Sequence, residues 1–285
     1  MRRIWKLFFS GAVILAAGLF AWFFFRDPAP APAPLVFREE KTVRILEGWT
    51  NKDIAVYLEN SGLWSAEEFL RLVGSHQADF MPEVAPDLSF WKSRYDWLPQ
   101  DADSLEGYLF PDTYRIYASS TPAELISRML DNFTIKVGPE IREEIERQGN
   151  ELSDIISLAS IIEKEAPIKN SPGGDRDAKL ISGIFWNRLK IGQALQSDAT
   201  LSYLFSDNKP QHSGAELAVD SLYNSYKYPG LPPGPIGNPG LIAIKAAVYP
   251  ADTNYFYFLT PLDSREVIYG RTYAEHLQNK YKYLK

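Results

Sequence analysis

The stretch Leu158-Ala-Ser-Ile-Ile-Glu-Lys-Glu-Ala-Pro167 carries an acidic side chain where a helix would ordinarily place an apolar one. Ser153 and Asp154 are N-cap residue types ahead of the run. Pro167 ends it, because the residue before a proline avoids the α region. At about 100° per residue, Leu158, Ile161, Ile162 and Glu165 share one stripe, with Ile155 close to it. Glu163 points roughly the other way and Lys164 lies to one side. An ionised carboxyl on an apolar stripe loses hydration, and the negative end of the helix dipole adds to the cost, so the pKa of Glu165 is expected to rise. A glutamic acid still protonated near neutral pH is what general acid catalysis requires. The same position also suits a buried ion pair with an arginine, or a stripe wetter than it reads, and the pattern alone leaves these open.

A second charged group breaks a second apolar stripe. Residues 178–191 read as a helix closed by Gly192, with Ile181, Ile184, Phe185 and Arg188 on one face. Glu165 and Arg188 either meet around one site or form a structural pair, which would lower the carboxyl's pKa. Gln196, Asp198 and Thr200 follow, and Asp198 suits the N-cap of a helix over 199–205. Next come Tyr223-Asn-Ser-Tyr226 and the loop from Gly230 to Gly240, which four Pro stiffen and four Gly turn. Such a loop suits the wall of a cleft, and Asn238 is placed to cap a helix with Pro239 as its first residue, running to Val248.

Several chemistries are disfavoured. There is no cysteine, and the three histidines, His76, His212 and His276, have no metal-ligand spacing, so a thiolate or His-based metal site is not expected, and the mechanism given below needs no metal or other cofactor. A net charge of −6 argues against a nucleic-acid groove. The 7 Trp, 16 Tyr and 16 Phe suit the faces of sugars as well as an ordinary core.

These residues need elements to position them, and the chain supplies them in an α+β pattern. Residues 1–6, with Arg2, Arg3 and Lys6, precede a run at 7–25 that holds 19 residues without a charge. That is enough to cross about 30 Å of hydrocarbon as a helix, with the N-terminus inside and the rest of the chain outside the cytoplasm. Residues 26–41 contain a stiff Pro/Ala repeat that would act as a spacer. Residues 42–103 read as a small βαα unit (strand Val43–Leu46, helices capped by Thr50 and Ser65) followed by an irregular connection rich in Pro, Asp and Trp. Residues 104–285 form the main domain. It opens on Leu105-Glu-Gly-Tyr-Leu-Phe-Pro-Asp112, either a rigid corner or a contact site, and is mostly helical. It closes with a hairpin of Tyr255–Leu259 and Glu266–Tyr269, turning near Asp263 and Ser264, and a last helix capped at Thr272.

Ala159-Ser-Ile-Ile-Glu-Lys-Glu165, Asn187-Arg-Leu189, Leu195-Gln-Ser-Asp198, Tyr223-Asn224, Gly230-Leu-Pro-Pro-Gly-Pro-Ile236, Asn238-Pro-Gly240 and Tyr255-Phe-Tyr-Phe258 occur in this order. Together they resemble the YceG-like family of endolytic murein transglycosylases, from about Leu105 to the C-terminus. The resemblance implies an enzyme of the bacterial cytoplasmic membrane, anchored by a single span, that cuts nascent peptidoglycan strands internally. It implies one catalytic glutamate, which the Glu-Lys-Glu motif aligns with Glu165. Glu163, Arg188, Gln196, Asp198, Tyr223 and Asn224 match motif positions expected to bind substrate or support the cleft. Association with penicillin-binding peptidoglycan synthases is a further expectation of the family. Family members often carry a longer region with a LysM-like module before the catalytic domain, so the βαα unit is read as a LysM-like remnant.

The mechanism this implies uses Glu165 first as acid and then as base, closing a 1,6-anhydro ring on MurNAc without water. Two alternatives keep the same substrate. A muramidase-type hydrolase needs a second carboxylate roughly 5–9.5 Å from the first, for which Asp198 is the better candidate and Asp112 the weaker. A non-catalytic glycan-binding scaffold for wall synthases needs no acid.

Overall fold

Alternating burial along residues 40–44 and 113–117 marks two strands that each turn one face inward. The computed structural model describes residues 39–75, 86–168, 173–207, 209, 212–261 and 266–284. Residues 1–6, the predicted span 7–25 and the spacer up to residue 38 lie outside the described residues, as does the predicted turn at Asp263 and Ser264. No helix among the described residues is long and apolar enough to cross a membrane.

Strand β1 (Glu40–Arg44) buries Val43. Helix α1 (Asn51–Asn60) follows, capped by a reciprocal Thr50–Asp53 box, and then α2 (Ala66–Val73), capped by Ser65. The connection beyond them contains a short helix, α3 (Ser89–Arg94), which buries Trp91. Strand β2 (Thr113–Tyr117) then pairs antiparallel with β1, Val43 facing Tyr114. The predicted βαα unit therefore closes as a two-stranded sheet whose second strand lies past residue 103. Pairing explains the shift of β1 towards the N-terminus from its predicted start at Val43, because Glu40 and Lys41 face Tyr117 and Ile116.

The main body is helical: α4 (Pro122–Lys136), α5 (Pro139–Arg147), α6 (Leu152–Glu165), α7 (Gly174–Lys190), α8 (Asp198–Phe205), the single turn α9 (Gly214–Leu217) and α10 (Leu241–Val248). A second antiparallel pair, β3 (Tyr257–Leu259) and β4 (Ile268–Gly270), leads to α11 (Tyr273–Tyr283). Glu39–Lys285 form one compact unit. The α+β expectation holds, with helices dominating two small sheets.

Helix α6 is the hub, with α10, α7, α5 and α8 packed around it. Residues Ile155 to Ile162 are buried without interruption, Ser157 and Ser160 included. The middle of the helix is therefore enclosed on all sides, not on the one predicted stripe, and its two end turns emerge, with Asp154 exposed at the start and Lys164 at the close. Its N-cap is Glu151, two residues earlier than Ser153 and without a capping side-chain bond. The Trp-rich connection docks on α4: Trp97 stacks on Phe133 at 4.5 Å and donates from Nε1 to Thr134 Oγ1 at 2.9 Å.

Asn238 does not cap α10, whose N-cap is Gly240. It is instead fully buried, accepting from the Leu109 amide at 2.9 Å and donating to the Trp49 carbonyl at 2.9 Å. Backbone bonds Asn238 N–H to Trp49 O and Gly48 N–H to Asn238 O complete the tie. The Pro/Gly loop is thus bolted to the segment that starts α1. Gly107, at φ +88°, sits under this loop, where an added Cβ would lie 2.5 Å from Pro235.

Candidate active site

Glu165 is the last residue of α6, and Ala166 leaves it in extended conformation ahead of Pro167. The side chain is half-buried and lines a cavity of about 350 Å³. The opposite walls come from Thr50, Lys52 and Asp53 at the start of α1 and from Asp198, Ala199, Ser202 and Tyr203 of α8. Ser197, the N-cap of α8, donates its hydroxyl to Glu165 Oε1 at 2.5 Å.

Ser197 is itself fixed. Its amide donates to Ser225 Oγ at 3.0 Å, and its carbonyl accepts from Thr200 Oγ1 at 2.9 Å. Thr200 and Ser225 join their hydroxyls at 2.8 Å. The chain turns into this position through Gln196, whose φ of 51° is left-handed, and the Gln196 amide donates to the Ser225 carbonyl. Asp198 is the first residue of α8, not its cap, and its Oδ1 accepts from the Tyr226 hydroxyl at 2.8 Å.

Burial pushes the Glu165 carboxyl above its ordinary range, and the charge of Asp198 pushes the same way. The Ser197 hydroxyl, the Ala199 backbone amide and the more distant Arg188 charge oppose the rise without cancelling it. Arg188 does not pair with Glu165. Its Nε donates to the Phe256 carbonyl at 2.8 Å, its Nη1 to the Leu195 carbonyl at 2.5 Å, and its guanidinium lies 5.2 Å from the Tyr257 ring centre. It clamps the turn before Ser197 to the start of β3, and the structural Arg–Glu pair is absent.

The other predicted positions divide. Glu163 faces away from the cavity and accepts from the Gly240 amide at 3.2 Å, at the start of α10. Gln196 is exposed and outside the cavity lining. Tyr223 is buried against Tyr203, ring centres 5.2 Å apart, and burial raises its hydroxyl pKa. Asn224 is fully buried and spends its amide on the loop itself: Nδ2 donates to the Leu217 and Val219 carbonyls, and Oδ1 accepts from the Tyr226 and Lys227 amides. A substrate contact by Asn224 is therefore not available; it shapes the loop that carries Ser225 and Tyr226. Asp112 is exposed, accepts from the Thr113 amide at 2.7 Å, and does not line the cavity.

Two buried polar groups escaped the sequence reading. Ser197 stood inside a quoted motif, but a serine carries no pattern of its own. Glu106 is 1% exposed beneath the cavity wall and accepts from the Asn51 amide at 2.9 Å, from Asn238 Nδ2 at 3.3 Å and from the Tyr203 hydroxyl at 3.5 Å. Burial pushes its carboxyl up to about 8. Among the described residues, Asp207, His212 and Glu216 bring three ligand atoms within 4.8 Å of one another. Lys209 already lies there, its Nζ 2.5 Å from Glu216 Oε1 and 3.1 Å from Asp207 Oδ2, so the donor set fits an ion-pair cluster better than a cation site.

The sequence matches the YceG-like family over residues 30–282. It is similar to the endolytic murein transglycosylase of Bacillus subtilis (strain 168), 36% identical over 180 residues that make up 63% of this chain and 48% of that protein. It is 33% identical to the protein of the same name from Streptococcus pneumoniae serotype 2 (strain D39), over 61% of this chain and 31% of that one. The matched region thus spans less than half the length of either relative. Among solved structures, a yceG-like protein from Listeria monocytogenes superposes with a TM-score of 0.69 at 31% identity, covering 83% of this chain and 75% of that one.

Proposed function

The chain belongs to the YceG-like family, and from that premise we propose that it is a lytic transglycosylase cutting peptidoglycan strands internally between MurNAc and GlcNAc. The observation that carries the reading is Glu165: a carboxyl with a raised pKa on a cavity wall, held through one oxygen by Ser197.

Protonated Glu165 donates to the oxygen linking MurNAc C1 to GlcNAc C4. The C1–O bond breaks, GlcNAc leaves with a free 4-hydroxyl, and C1 takes oxocarbenium character. Asp198 supplies negative charge beside that centre and also favours the protonated form of Glu165 beforehand. The Glu165 carboxylate then removes the proton from the C6 hydroxyl of the same MurNAc, and O6 bonds to C1. The product is a 1,6-anhydro end, no water is consumed, and the acid is regenerated. Because the nucleophile belongs to the substrate, proximity supplies much of the acceleration. The Ser197 hydroxyl, donating to Oε1, fixes the orientation of the carboxyl in the cavity.

The reading extends to the envelope. Residues 7–25 would anchor the chain in the bacterial cytoplasmic membrane with residues 39–285 outside it, and penicillin-binding synthases would be its partners. Support for these is the charge-free run and the family-level expectation.

Asp198 on the same cavity keeps a hydrolase reading in view, and one assay separates the two. Uncrosslinked strands are digested by wild type and by Glu165→Gln, and products are read by mass spectrometry. Anhydro ends made by wild type and absent with Glu165→Gln are the expected result. Products one water heavier would establish the hydrolase instead. Cutting that persists in Glu165→Gln would remove Glu165 from the mechanism.

A further inference from the structure

A second cavity, about 240 Å³, shares Lys164 with the cavity that Glu165 lines. Lys164 is the one residue that lines both. Trp49, Ala166, Pro167 and Ile168 give the second cavity an apolar side. Trp49 is half-buried, with its ring 5.1 Å from that of Tyr57 and its carbonyl fixed by Asn238. Glu47 and Glu163 also line it, but both carboxyls are turned towards the start of α10: Glu163 accepts from the Gly240 amide, and a Cβ on Gly240 would lie 2.0 Å from Glu47 Oε1. Lys164 is exposed and enters no ion pair or hydrogen bond with the described residues.

A cut inside a strand requires saccharide units on both sides of the broken bond. We propose that this second cavity is a further saccharide subsite of the same cleft, with Trp49 and its apolar neighbours against the sugar and Lys164 paired to a carboxylate of the strand. The inference rests on the glycan-cleaving reading above. An N-acetylated sugar presents an apolar C–H face and a methyl group, which match a wall of Trp, Pro, Ile and Ala. In peptidoglycan the carboxylate comes from one of two sources. It is the lactyl group of MurNAc where the peptide is missing, or the stem peptide where it is present. An ammonium on the ridge between reacting acid and subsite would also fix the register of the strand over Glu165.

The test measures strand binding by the full chain carrying Glu165→Gln, which on the proposed mechanism lacks the acid, alone and with Lys164→Gln, Trp49→Leu or Trp49→Phe added. Three strands are used: peptide-bearing, peptide-free, and peptide-free with the lactyl carboxyls amidated. Lys164→Gln is expected to weaken carboxylate-bearing strands roughly tenfold, the worth of one charge-assisted contact, and to leave the amidated strand unchanged. Loss on peptide-bearing strands alone assigns the carboxylate to the stem peptide; loss on peptide-free strands alone assigns it to the lactyl group. Trp49→Leu is expected to weaken all three alike by roughly tenfold, and Trp49→Phe, which keeps a ring, to recover most of that loss. Unchanged binding in Lys164→Gln or in Trp49→Leu overturns the subsite. Wild-type cleavage is scored separately: binding losses as expected without anhydro products would sink the transglycosylase reading and leave the subsite standing.

Discussion

Glu106 offers a measurement in which one buried proton is read as stability. Its carboxyl is 1% exposed and held by donors from three segments, and its pKa is displaced from 4.5 to about 8, chiefly by burial. Below pH 4.5 folded and unfolded chains both hold this proton. Between 4.5 and about 8 the unfolded chain has released it and the folded chain has not, so stability falls as pH rises. The slope is about 1.4 kcal/mol per pH unit, and the whole window is worth roughly 5 kcal/mol. Glu106→Gln keeps the shape of the protonated form and cannot ionise. Equilibrium urea unfolding of both proteins at pH 5, 7 and 9 isolates the effect, because every other titrating group cancels in the difference. Relative to wild type, the variant should gain roughly 3–5 kcal/mol of stability between pH 5 and pH 9. A difference that does not change between pH 5 and pH 9 would refute the account.

Other perturbations read the site more directly. Ser197→Ala removes a donor that lowers the Glu165 pKa, so kcat should fall roughly tenfold while the descending limb of its pH profile moves to higher pH; a limb that stays in place would disconnect the two residues. Asn224→Ala strands the Leu217 and Val219 carbonyls and the Tyr226 amide, and should cost about 2–4 kcal/mol of stability by calorimetry. Loss of strand binding at undiminished stability would instead return Asn224 to the substrate. Gly107→Ala, forced into a left-handed backbone against Pro235 and Ile156, should cost about 3 kcal/mol or more, and a melting temperature equal to wild type would contradict the packing described.

Glu165 was legible because an acid on an apolar stripe is a local anomaly. The stripe, however, was only part of the reason: α6 is buried all round from Ile155 to Ile162, and Glu165 meets a cavity because the helix ends there. Arg188 was legible as an anomaly for the same reason, while its partners were not, since the carbonyl of Phe256 lies 68 residues away. Asp198 reads as a cap by residue type, yet Ser197 takes that place once its hydroxyl is turned towards Glu165. Strand β2 was hidden in an aromatic, turn-rich stretch, because pairing with β1 across some seventy residues leaves no local mark. Glu106 and Asn238 were illegible on similar grounds: loop polar residues ordinarily face water, and only their distant partners make them core.

The bond between Asn238 and the Trp49 carbonyl spans 189 residues, and this separation carries a consequence for timing. A chain is made from its N-terminus, and contacts far apart in sequence form late because a long loop must close first. The start of α1, one wall of the cavity, is therefore held at first by Glu106 and gains its tie to the Pro/Gly loop only when that loop is synthesised and docks. Glu165 leaves the ribosome long before its pocket exists. A nascent or prematurely terminated product ending before Asn238 carries the acid but lacks the tie that closes its pocket.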